Sequence, residues 1–159
     1  MNRQELIKKA AEIKTPSKQA ARQFQEASPS LVDELNQIMN SRSDLEKLIG
    51  KNNREMMLDN HNNHARFMSA LLVDYRPEVL VDTVFWVLRT YRAHGFQPAY
   101  WPAQLNAWLQ LLQKHLSPEA YEEVSPVYNF IIVNQAFFDR SNPACPEDLQ
   151  TPEHPGTAF

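Results

Sequence analysis

An all-α fold follows from three features of this 159-residue sequence. Apolar residues recur at three- and four-residue spacing through most of the chain, the period of a buried helix face. The period-two alternation of a half-buried strand is missing. Punctuation falls to proline and serine, with three glycines in all, Gly50, Gly95 and Gly156. The length suits one domain with a tail. Such a domain buries roughly 70% of the surface of its unfolded chain, enough for a real core.

The elements follow in order. Residues 2–14 predict an amphipathic helix with Leu6, Ala10 and Ile13 on one face, and Thr15-Pro16-Ser17 breaks it. A polar helix is expected over 18–27. Residues 1–27 carry Arg3, Lys8, Lys9, Lys14, Lys18 and Arg22 against Glu5, Glu12 and Glu26. That composition reads as a solvated helical arm. Ser28-Pro29-Ser30 is a helix-start signal, and Leu31, Leu35, Ile38 and Met39 continue at helical spacing. A short helix over 44–49 ends at Gly50. A long one over 53–75 follows Asn52-Asn53. Pro77 suits the first turn of a helix over 78–94, which Gly95 ends. Pro98 to Pro102 forms a corner, and the next helix runs to Leu116. Ser117-Pro118-Glu119 opens the last helix, which reaches about Arg140. Four prolines and little apolar periodicity mark 141–159 as a disordered tail. The predicted organisation is therefore an arm over 1–27, a domain over 28–140 and a tail over 141–159.

Composition excludes several classes of function. The net charge of −3 argues against a nucleic-acid partner, which wants a basic surface. The single cysteine, Cys145, excludes an intrachain disulfide framework and a thiolate metal cluster. Three glycines leave no room for a glycine-rich phosphate loop. No apolar run reaches the roughly 18 residues of a membrane span, and residues 1–14 lack a signal-peptide core, so a cytoplasmic protein is expected.

At 100° per residue, the 53–75 helix collects Glu55, Asp59, Asn62, Arg66 and Ser69 on one side. Met57, His64, Met68, Leu71 and Tyr75 lie opposite, with Asn60 and His61 flanking His64. In the 78–94 helix, Leu80, Val84, Val87, Tyr91 and His94 share one side. Two helices joined by a two-residue break are expected to lie close, so these polar groups line one cavity. The competing reading is ordinary: buried histidines are usually satisfied core residues. His61 and His64, at i and i+3, resemble zinc ligation only loosely, since no second ligand pair or thiolate supports them. A catalytic set is weaker still. The Gly-x-Ser-x-Gly elbow is absent, and Glu122-Glu123 reads as a solvated face.

Residues 91–138 resemble the last third of the globins, the bacterial ones in particular. Gly95-Phe96-Gln97-Pro98-Ala99-Tyr100-Trp101-Pro102 is similar to their corner between the heme-ligand helix and the next. Leu105, Trp108, Leu109, Leu112 and the Leu116-Ser117-Pro118-Glu119 break continue the likeness, which covers about 28–140. In that alignment the proximal histidine falls at Tyr91, and His94 lies three positions on. The distal position falls near Asn60 to His64. The resemblance implies a globin-like sensory or regulatory domain of bacterial type, without ordinary heme ligation and without catalysis. Its ligand would be a small apolar or amphipathic molecule, held by Met57, Asn60, His61, His64, Phe67, Met68, Val87, Tyr91, His94 and Trp101. Its partner would be a signalling protein. The alternative is a heme-binding gas or redox sensor ligating through Tyr91 or His94. An enzyme using His61, His64 and His94 is a third reading.

The last helix is apolar on more than one side. Val124, Tyr128, Ile131 and Phe138 form one stripe, and Tyr121, Val127, Phe130 and Phe137 another. Such a helix needs cover nearly all round, from the N-terminal helix or a second subunit. A homodimer through 100–138 is expected, in keeping with the usual two-fold symmetry of homo-oligomers.

Overall fold

The structure, a computed structural model, describes residues 1–139, and the tail expected over 141–159 lies outside them. The described residues form seven helices and no strand: α1 (Arg3–Ala11), α2 (Lys18–Asn40), α3 (Leu45–Ile49), α4 (Arg54–Val73), α5 (Pro77–Ala93), α6 (Tyr100–His115) and α7 (Pro118–Asp139). The chain is all-α, as its periodicity predicts.

Local chemistry sets most of the boundaries. Asn2 caps α1 in a reciprocal box with Glu5: each side chain accepts from the other's backbone N–H, at 2.9 and 2.8 Å. Ser17 and Ser117 cap α2 and α7 by accepting from Ala20 and Ala120, both at 3.1 Å. Pro77 opens α5, where a missing N–H is harmless. Gly95, at φ +104°, turns the chain out of α5 in a conformation costly for any other residue.

The new helix expected at Ser28-Pro29-Ser30 does not form. One helix, α2, runs through Pro29, so the division at 27/28 falls inside it. Ala20, Ala21, Phe24, Leu31, Val32, Leu35 and Met39 are all buried on a single continuous face. Packing of that face outweighs the lost backbone hydrogen bond of one proline, whose ring is exposed. Pro126 is carried inside α7 in the same way.

Residues 1–27 are not a solvated arm. Leu6 and Ala10 are fully buried, and α1 packs on α5. The Arg3 guanidinium grips Asp82 of α5 with two bonds of 2.6 and 2.8 Å, and the Tyr75 hydroxyl donates to the Ala10 carbonyl at 2.6 Å. Apart from Arg3 the charges of this segment are exposed, while Leu6, Ala10, Ala20, Ala21 and Phe24 between them are buried in the core.

α2 is the central strut, packing against α4, α6 and α7, while α7 also meets α5 and α6. This explains the apolar girth of α7. Val124, Val127, Tyr128 and Ile131 are buried, and so is Phe130. Cover for the second stripe comes largely from within the chain. Val133, 75% exposed, is the large apolar side chain that α7 leaves open among the described residues. The corner before α6 is tied to the loop before α4. The Asn53 amide donates to the carbonyls of Ile49 and His94 at 2.7 and 2.8 Å, and the Gln97 N–H donates to Leu48 at 2.8 Å. Among the described residues no helix is long and apolar enough to cross a membrane.

Candidate functional site

α4 turns Met57, Asn60, His61, His64 and Met68 into the interior, all fully buried. Their positions at i, i+3, i+4, i+7 and i+11 follow the helix period. The short connection between α4 and α5 predicts that the polar groups among them face α5, and only Asn60 does so, near the Tyr91 hydroxyl. His61 and His64 meet α2, α6 and α7, and Asn60 also bonds to α6.

Two clusters result. In the first, His61 Nδ1 lies 2.7 Å from Asn36 Oδ1 of α2, and Nε2 lies 3.3 Å from the Tyr100 hydroxyl of α6. Tyr100 donates to Asn60 Oδ1 at 2.7 Å. Gln104 Nε2 donates to the same oxygen at 2.7 Å and to the Tyr100 oxygen at 3.3 Å. An amide oxygen only accepts, so His61 carries its proton on Nδ1 in this arrangement. In the second cluster, His64 Nε2 lies 2.7 Å from the Tyr128 hydroxyl of α7. Its ring stacks on Trp108 of α6, centroids 4.5 Å apart.

Burial governs the protonation of both. It lowers the His61 pKa to about 3 and carries that of His64 well below its ordinary value, with His61 nearby adding to the effect. It raises the hydroxyls of Tyr100 and Tyr128 well above the usual phenol range. Every member of both clusters is therefore neutral near pH 7. Asn60 Nδ2, Gln104 Oε1 and Trp108 Nε1 are buried without a hydrogen-bond partner in the protein.

The residues singled out in the sequence divide accordingly. Asn60 and His61 surround Tyr100, and Trp101 packs edge-on to it at 4.9 Å. Tyr91 sits beside them, edge-on to Trp101 at 5.6 Å and to Phe96 at 4.9 Å. The side chains of Asn60 and Asn63 approach its hydroxyl, but burial outweighs them and raises its pKa. Met57, Met68 and Val87 are fully buried apolar residues. Phe67 belongs elsewhere, lining a cleft of about 330 Å³ with Leu71, Asp74, Val79 and Thr83.

His94 is a correction. It is exposed, because α5 ends at Ala93 and helical projection no longer holds one residue later. What binds is its backbone carbonyl, to Asn53. Tyr100, Gln104, Trp108, Tyr128 and Asn36 complete the clusters; the sequence marks Tyr100, Trp108 and Tyr128 by their place in the fold and assigns none of the five to the site. The usable signal was Tyr100, Gln104 and Trp108 at four-residue spacing, which puts polar atoms in the middle of the buried face of α6.

Heme, which the alternative sensor reading requires, does not fit these residues. Burial disfavours the phenolate that Tyr91 would need to ligate iron. His94 points outside, and the bulk of Tyr100, Trp101, Trp108 and Tyr128 is buried in the interior. Among the described residues no group of three His, Cys, Asp or Glu side chains could hold a metal ion. Comparison with protein-family models, curated proteins and solved structures finds no match.

Proposed function

We propose that the chain is a non-catalytic, globin-like sensory or regulatory domain whose interior cluster on α4 takes up a small neutral ligand. The observation that carries this reading is the convergence of Asn60, His61, Tyr100 and Gln104 with part of their hydrogen-bonding capacity unused. Burying polar atoms unpaired costs about 1–3 kcal/mol each. A core built for stability alone would be apolar there. The neutral histidines are sealed from solvent, which suits recognition better than proton transfer to a substrate. The helix succession and the corner at 95–102 support the globin-like reading. A ligand entering between α4 and α6 would favour a looser packing of α6 and α7, and so reach a partner by shifting a conformational equilibrium.

Titration of ¹⁵N-labelled protein with small neutral probes, 1-hexanol and toluene, tests this. Saturable shifts at Asn60, Tyr91 and Tyr100 are expected, and added hemin should give no stoichiometric complex. Absence of saturable shifts with either probe overturns the ligand reading. Tight hemin binding abolished by Tyr91→Phe replaces it with a heme sensor.

A homodimer through 100–138 belongs to the same proposal, on a narrower surface than the sequence suggests. Asn129, Val133 and Ala136 are exposed along one line of α7, with Ile132 and Phe137 half-buried beside them. Phe130 is buried, so a charge there would test folding and not assembly. Val133→Arg should convert a dimer to a monomer in sedimentation without changing helix content. A wild type that sediments as a monomer at micromolar concentration removes the dimer.

A further inference from the structure

From the Asn60–Gln104 amide pair we infer a hydroxyl-binding subsite between α4 and α6, where one oxygen accepts from one amide and donates to the other. Its occupant is an ordered water or, deepening the ligand reading above and resting on it, the head group of a neutral alcohol.

An Asn or Gln side chain offers an accepting oxygen and a donating nitrogen. Asn60 and Gln104 are both fully buried and share one edge, through the 2.7 Å bond from Gln104 Nε2 to Asn60 Oδ1. Their outer atoms, Asn60 Nδ2 and Gln104 Oε1, make no hydrogen bond in the protein, and the Tyr91 hydroxyl of α5 approaches Asn60 without closing one. Turning both amides over does not remove the problem. Asn60 would then donate to Tyr100 and Gln104, Tyr100 would donate to His61, and the orphans would become Asn60 Oδ1 and Gln104 Nε2. One donor and one acceptor remain in either orientation.

A hydroxyl matches that pair, because it accepts and donates through a single atom. Each orphan sits one amide width from the shared bond, so the two are at most about 7 Å apart. One oxygen making two hydrogen bonds of about 2.8 Å each spans up to about 5.6 Å, a separation that lies within that limit. The chemistry also favours a neutral guest. The groups bonded to the pair and its neighbours are amides, a phenol and a neutral imidazole, and none of them carries a charge to offset that of an ion. Met57 and Met68, on the same face of α4, are unbranched and adaptable, as an alkyl tail behind the hydroxyl would require.

Two measurements on the intact protein test the subsite. The first is water–amide cross-relaxation at the side-chain NH₂ groups of Asn60 and Gln104. A long-lived water contact is expected at the outer amide edge, lost in the nearly isosteric Gln104→Met. The second compares 1-hexanol with toluene, which lacks the hydroxyl. Hexanol, and not toluene, should extinguish the water contact saturably. A water contact that hexanol does not displace keeps the subsite, assigns it to water and removes the alcohol. Dry amides with no hexanol-induced shift at either side chain overturn the subsite, even where toluene still binds and the broader ligand reading survives. Should Gln104→Met fail to fold, the wild-type measurements by themselves still separate these outcomes.

Discussion

Between pH 7 and pH 5 the protein is expected to lose about 2 kcal/mol of stability through buried His61, and buried His64 adds a loss in the same direction. His61 has its pKa lowered to about 3 in the folded state, and His64 shifts in the same direction. In the unfolded chain both imidazoles titrate near 6.5. Above that pH neither state binds the proton and the histidines cost nothing. Below it the unfolded chain takes up protons that the folded one refuses, so stability falls with pH and keeps falling toward about 3. The carboxylate of Glu34, held low by Lys114 and then His115, titrates below its ordinary 4.5 and leaves the window from 6.5 to 5 to the imidazoles. Urea midpoints at pH 8, 7, 6 and 5 measure the effect: a plateau, then a steady decline. The ring protons of His61 and His64 should hold constant shifts throughout. A flat midpoint from pH 7 to pH 5, or ring protons titrating near 6.5, would show that the two imidazoles are not buried and neutral.

These histidines show how far the sequence reaches. Helical arithmetic alone places His61 and His64 on the inner face of α4, because their burial depends on local period. Their partners are not local. Tyr128 lies 64 residues beyond His64, and Gln104 lies 44 beyond Asn60. No periodicity within one helix says which other helix it will face, and the assumption that chain neighbours pack together steered α4 toward α5. His94 fails for the opposite reason, since a helical projection was carried one residue past the end of the helix.

The fold is legible to a similar depth. Boundaries set by local chemistry, such as Pro77, Gly95 and Ser117, could be read directly. Pro29 could not be, because a serine–proline pair signals a helix start when judged locally. Whether the helix runs through depends on a buried face stretching from Ala20 to Met39. The same packing of α2 covers α7, so a surface whose pattern asks for a second subunit is largely buried in one chain. Where tertiary contact decides between two locally acceptable structures, sequence pattern ranks them wrongly.

Trp108→Ala is expected to be the most damaging single truncation, at about 3–5 kcal/mol. Trp108 is fully buried and touches three elements besides its own. Its ring stacks under His64 of α4 at 4.5 Å, lies 6.4 Å from Phe24 of α2 and 6.3 Å from Tyr128 of α7. Truncation leaves a void bordered by all four helices, and it removes the surface that positions His64 against Tyr128. A loss of that size is a large share of the roughly 5–15 kcal/mol that holds a typical domain together. Trp108→Phe separates the packing of the ring from its polar atom. The indole N–H has no partner in the protein, so removing it relieves a cost of about 1–3 kcal/mol. That relief offsets part of the lost ring volume, and Trp108→Phe should cost less than half as much as Trp108→Ala. Urea denaturation at pH 7.5, above the range in which the histidines titrate, compares the two. Equal losses would mean that the N–H is satisfied, by a water or a ligand group, and that this part of the interior is wetter than its apolar walls suggest.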